Sequence, residues 1–179
     1  MCIRDSMEAA GGDLEGLIKK LKTIKYHSKL DFSSSDFEID DSGISTYHAV
    51  IDALERYEEG GHLYPSADVY VYTANIGRLL GDMDASMDLV SKAIRVEPKN
   101  PNAWYLKGIL FDTFGKIEDA LRAYDRTLKY DEGNVRAWLR KGRLLEDLGR
   151  SKDALKAYRK VTELDSENLD AWEAMGNIY

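Results

Sequence analysis

A single cysteine, Cys2, stands among the 179 residues, so no disulfide framework can staple the fold. No apolar run is long enough to span a bilayer, which excludes a membrane-crossing helix within the sequence. The formal net charge of -7 argues against general nucleic-acid binding, which needs a basic face. Catalytic signatures are missing too: there is no Gly-rich phosphate loop, no Gly-x-Ser-x-Gly elbow and no cysteine nucleophile. Histidine is scarce, and His27 and His62 have no obvious acidic or cysteine partners at ligand spacing. His48 shares a helix face with Asp52 and Glu55, an arrangement read as solvated rather than metal-binding. With charged residues at 32%, the expectation is an ordinary cytoplasmic domain that is not an enzyme and holds no cofactor and no metal.

What the sequence does have is a period. Trp104, Trp138 and Trp172 are 34 residues apart, and so are Gly108, Gly142 and Gly176, Gly81, Gly115 and Gly149, and Asn100, Asn134 and Asn168. Asn100 before Pro101 reads as an N-cap with proline at the first helical position, where its missing N–H costs nothing. Asn134 and Asn168 repeat the cap. Gly81, Gly115 and Gly149 each end a first helix, because a residue without Cβ can take the left-handed conformation of a tight turn. Each unit is thus a helix pair. In the second helix of the middle unit, Ile117, Ala120, Leu121, Tyr124 and Leu128 form one apolar stripe that a neighbour must bury.

These columns, with Ala120 and Tyr124 recurring as Ala154 and Tyr158, resemble the tetratricopeptide repeat, a helix-turn-helix unit of this length. Residues 67–100, 101–134 and 135–168 form three units, and 169–179 the first helix of a fourth. Lys107 and Lys141 depart from the usual Leu, Tyr70 from the first Trp, Ser86 from the small Ala, and Glu132 and Ser166 from the closing Pro that Pro98 keeps. The resemblance implies an all-α, right-handed superhelical solenoid of antiparallel helix pairs with a continuous core. Gly108, Gly142, Ala120 and Ala154 are expected to let helices approach, while the tryptophans fill the space between them.

Upstream lie four further segments. Residues 1–6 resemble a translated sequencing adapter, so they are expected to be a non-native leader on a fragment from a metagenomic gene. Residues 7–30 carry Leu14, Leu17, Ile18, Leu21 and Ile24 at helical spacing among lysines, a basic amphipathic helix. It reads first as docking on its own protein or an upstream domain, and second as lying on a membrane surface. Residues 31–43 form an acidic, Ser-rich linker with Phe32, Phe37 and Ile39, which could fold back into the groove of the array. Residues 44–66 form an amphipathic helix and connection, with Ile44, Tyr47, Val50, Ile51, Leu54 and Tyr57 on one face, expected to cap the first unit.

In this family the first helices line a concave groove that takes a peptide or a partner helix. By resemblance, the groove residues are Val71, Tyr72, Asn75, Arg78 and Leu79, then Asn102, Tyr105, Leu106 and Ile109, then Arg136, Leu139, Arg140 and Arg143. Arg136, Arg140 and Arg143 share one helix face, and guanidinium groups match carboxylates bidentately, which points to an acidic peptide or a C-terminal carboxylate. Arg143 reads first as the partner of Glu146 or Asp147 within its own helix, and second as a groove residue. Chaperone-binding members clamp a terminal carboxylate; Asn75, Arg136 and Arg140 occupy matching positions, but Val71 and Leu106 stand where that clamp needs Lys and Asn. The expected function is a protein-protein interaction module, an adaptor or scaffold. The alternative is the recognition or regulatory arm of a larger multidomain enzyme, and a third reading is a membrane-associated assembly factor.

Overall fold

The computed structural model describes residues 41–59 and 65–178, together with Gly16 and Lys19. Apart from Gly16 and Lys19, the expected basic helix lies outside the described residues, as do the adapter-like leader and most of the acidic linker. The chain forms two compact units, Met1–Pro98 and Lys99–Tyr179. In the first unit α1 spans Asp41–Glu59, α2 Ala67–Leu80 and α3 Met83–Val96. In the second, α4 spans Pro101–Thr113, α5 Ile117–Tyr130, α6 Val135–Asp147, α7 Ser151–Leu164 and α8 Leu169–Ile178. No strand occurs among the described residues.

Local chemistry sets the helix ends. The side-chain oxygens of Asn100, Asn134 and Asn168 accept hydrogen bonds from the backbone N–H groups of Ala103, Ala137 and Ala171 at 3.0, 3.0 and 3.1 Å. Each cap satisfies a donor that has no partner within the helix. At the turns Gly81, Gly115 and Gly149 adopt φ of 85°, 70° and 70°, where a Cβ would cost about 1–2 kcal/mol. The Lys116 and Arg150 N–H groups close these turns on the carbonyls of Phe111 and Leu145, each at 2.8 Å.

The second unit repeats one packing device. A Cβ on Gly108 would lie 2.5 Å from the Tyr124 ring, and one on Gly142 would lie 2.5 Å from the Tyr158 ring. α4 and α6 each offer a glycine seat, and α5 and α7 fill it with a phenol ring. Ala103, Ala120, Ala137, Ala154, Tyr124 and Tyr158 are all fully buried around these seats. The tryptophans do not fill the interior as expected. Trp104 and Trp138 are only half-buried and Trp172 is 51% exposed. The indole N–H groups of Trp138 and Trp172 reach out to the carbonyls of Glu132 and Ser166, both at 3.0 Å, which ties these rings to the connecting turns. Lysine at the position where Leu is usual covers two of the rings: Lys107 Nζ sits 5.5 Å from the Trp104 ring centre, and Lys141 Nζ sits 5.3 Å from the Trp138 ring centre and 2.6 Å from Asp125.

In the first unit the ring arrives from the other direction. Gly77 is seated by Tyr47 of α1, whose hydroxyl would lie 2.6 Å from a Cβ there, and Ser86 Oγ would lie 2.7 Å away. The Tyr47 hydroxyl donates to Asp82 at 3.0 Å, and Asp82 also caps α3 through the Ala85 N–H. Tyr47, Val50 and Leu54 are buried, so α1 is held by packing as well as by this bond. The described helix begins at Asp41, inside the stretch read as linker.

Three phenols are held above their ordinary pKa of 10.0, each chiefly by burial. Hydrogen bonding to Asp82 adds to the effect at Tyr47, and hydrogen bonding to Glu146 adds to it at Tyr158. The fold binds these protons more tightly than the unfolded chain does. Their stabilisation is complete below about pH 10 and is lost as pH rises above it. Thermal unfolding from pH 8 to 11 should show a falling midpoint above pH 10, and Tyr124→Phe should flatten the fall. A midpoint unchanged over that range would contradict the burial of these phenols.

Candidate functional site

The first helices α4 and α6 carry the charged and aromatic residues expected of a binding face in the second unit. Spacing by four on α6 places Arg136 and Arg140 one turn apart. The Arg136 guanidinium lies 5.3 Å from the centre of the Tyr105 ring on α4, a cation–π contact. Arg140 pairs with Asp112 of α4 at 3.5 Å, the long limit of a hydrogen bond, with side-chain exposures of 26% and 31%. Burial works against the Arg140 charge, but Tyr124, Tyr105 and Asp112 outweigh it, and its pKa stays above the ordinary value. Burial also holds the Asp112 carboxyl above its usual range; Arg140 opposes this and Asp147 reinforces it.

Behind this pair lies a donor without an acceptor. Tyr124 is fully buried and its hydroxyl finds no acceptor, since the Arg140 guanidinium beside it can only donate. A buried donor left unmade costs about 1–3 kcal/mol. The next repeat solves the same problem differently: the Tyr158 hydroxyl donates to Glu146 at 2.8 Å. Glu146 and Asp112 occupy the same column, as do Tyr158 and Tyr124. Asp112 is one methylene shorter, and it faces Arg140 instead of the phenol.

The residues expected in the groove divide by depth. Val71, Asn75, Tyr105, Leu106 and Ile109 are buried, so their side chains belong to the packed interior. In the first unit Asn75 accepts from Arg78 at 3.2 and 3.1 Å. Tyr72, Arg78, Leu79, Asn102, Arg136, Leu139 and Arg140 are partly exposed. Arg143 is exposed and its ion-pair partner is Asp170 of α8 at 2.8 Å, not Glu146 or Asp147. Asp112 and Tyr124 were not among the expected site residues. The Asp-for-Glu difference within their column was the available signal.

A second concavity, of about 670 Å³, is framed by α5, α6 and α7 around Leu121, Trp138 and Leu145. Its charged rim is largely self-neutralised, with Lys141 on Asp125, Arg150 and Lys156 on Asp153, and Lys160 on Glu163. No group of three or more His, Cys, Asp or Glu among the described residues is placed to hold a metal ion, and no described helix is long and apolar enough to cross a membrane.

Helix pairs with a glycine seat, an aromatic knob and an asparagine cap define a helical-repeat protein. Residues 105–168 match the family described as Tetratricopeptide repeat, so the resemblance seen in the sequence is upheld and the fold is of the all-α repeat-solenoid class. Several solved structures are similar in fold at low identity. The first tetratricopeptide domain of Spaghetti (RPAP3), solved bound to the HSP90 peptide SRMEEVD, is 22% identical over 63% of this chain and 90% of that one, with a TM-score of 0.60. The crystal structure of MamA is 21% identical over 92% of this chain and 85% of that one, with a TM-score of 0.67. A tetratricopeptide repeat protein from Parabacteroides merdae is 17% identical over 93% of this chain and 59% of that one, with a TM-score of 0.72. No curated protein matches the chain.

Proposed function

We propose that the protein is an interaction module that binds an acidic peptide on the first-helix face of its second unit. The observation that carries this reading is the Arg136–Arg140 pair, one turn apart above the buried Tyr105 and Tyr124 rings, with Arg140 already engaged by a carboxylate. A guanidinium presents a fork of donors that suits carboxylates. The absence of catalytic signatures in the sequence favours binding over chemistry. The similar fold solved with an HSP90 peptide gives a precedent, because that peptide, SRMEEVD, is rich in acidic residues.

The test is titration of the whole chain with a fluorescent acidic peptide and with its glutamine counterpart. The wild type should prefer the acidic form, more so at low salt. Arg136→Glu with Arg140→Glu should weaken binding by about tenfold or more, since each charge-assisted bond is worth about 1.5–3 kcal/mol. Equal affinity for the two peptides, or a double variant that binds as well as the wild type, would sink the proposal.

A further inference from the structure

We infer that Asp112 is a built-in stand-in for the ligand, and that the face takes an extended peptide with acidic side chains two residues apart. One of these acids meets Arg136, and the other displaces Asp112 from Arg140. The inference rests on the acidic-peptide reading above and gives it a spacing and an internal competitor.

The comparison of two consecutive repeats carries it. Where the column holds Glu146, the acid turns to its own repeat's phenol and the bond is 2.8 Å. Where it holds Asp112, the acid turns to Arg140 at 3.5 Å, and the Tyr124 phenol has no acceptor. The Arg140–Asp112 contact therefore satisfies neither group well. Arg140 keeps donors to spare at that length, and Tyr124 offers an O–H with nowhere to go. A carboxylate in the place of Asp112, unconstrained by attachment to α4, can approach Arg140 more closely and accept from Tyr124 as well. Asp112 and Arg140 are both about one-third exposed or less, so the exchange takes place at the edge of the interior rather than within it.

The spacing follows from elementary geometry. Positions i and i+4 on a helix are about 6 Å apart along the axis. In an extended strand, side chains on one face recur every second residue, about 6.6–6.8 Å apart. Arg136 and Arg140 thus match acids at alternate positions of an extended peptide. Adjacent acids point to opposite faces and engage only one arginine.

The experiment uses the full chain and two labelled peptides, both blocked at the C-terminus, one with a Glu-Ala-Glu core and one with Glu-Glu-Ala. The wild type should prefer the alternating peptide. Asp112→Asn, which is isosteric and removes the competing charge, should bind it about threefold tighter or better, a gain typical of releasing one partly exposed ion pair. Tyr124→Phe in that background should reverse part of the gain. Circular dichroism on each variant confirms that the helices are intact.

If the wild type binds acidic peptides but Asp112→Asn gains nothing, Asp112 is not a competitor and this inference falls while the acidic-peptide reading stands. Equal affinity for both spacings overturns the alternating register. If neither the wild type nor Asp112→Asn binds any acidic peptide, the parent reading falls too. Binding that is lost when the C-terminal block is present assigns the site to a terminal carboxylate and overturns the side-chain assignment.

Discussion

Tyr158→Ala should lower the unfolding free energy by about 3–5 kcal/mol, the range for truncating a buried large aromatic. The ring is fully buried, it fills the only space that Gly142 leaves, and its hydroxyl is satisfied by Glu146. The variant loses the burial, opens a cavity against the α6 backbone and strands part of the Glu146 hydrogen bonding. Trp138→Ala is the informative comparison, because its ring is only partly buried and its N–H is tied to a loop carbonyl. Its cost should be less than half that of Tyr158→Ala in urea unfolding. Equal costs would return the tryptophan column to the interior.

Gly142→Val should be nearly as damaging, at about 3 kcal/mol, the upper part of the range for overpacking a filled core. The first carbon of any side chain there would lie 2.5 Å from the Tyr158 ring, and that ring cannot retreat without breaking its bond to Glu146. Valine and glycine are both poor helix formers, so the substitution reports packing with little change in propensity. Gly176 supplies the control in the same column. Nothing lies within 4 Å of a Cβ placed there, and Gly176→Val should stay within about 0.5 kcal/mol of the parent. A similar loss at both positions would mean that the glycine column serves the helix backbone, not the tyrosine seat.

The features that were legible in the sequence are those decided by a few neighbouring residues. Asn134 caps α6 because its side chain reaches a donor three residues on, and Gly149 turns the chain because its φ of 70° is cheap only without a Cβ. Periodicity gave the helix pairs for the same reason. It did not show which aromatic column is interior, since Trp138 and Tyr158 recur with equal regularity. That choice depends on what stands opposite, a glycine seat in one case and a loop carbonyl in the other. The site was less legible still. Tyr105 and Leu106 occupy first-helix positions that resemblance assigns to the groove, yet both are buried, because neighbouring helices cover them. Arg143 was weighed against acids in its own helix and instead finds Asp170, 27 residues away, through contact between α6 and α8. The Asp112–Arg140 contact spans 28 residues and was beyond any local rule.

The pairing of a glycine in one helix with a ring sixteen residues later, in Gly108–Tyr124 and again in Gly142–Tyr158, also governs how the gene can change in length. Gain or loss of a whole 34-residue block delivers a ring and its socket together and leaves every remaining pair in step. A half-block change delivers one without the other and leaves either a void or a clash. Length changes that keep the packing intact are therefore expected in whole 34-residue steps, with the asparagine-capped turns between blocks as the joints.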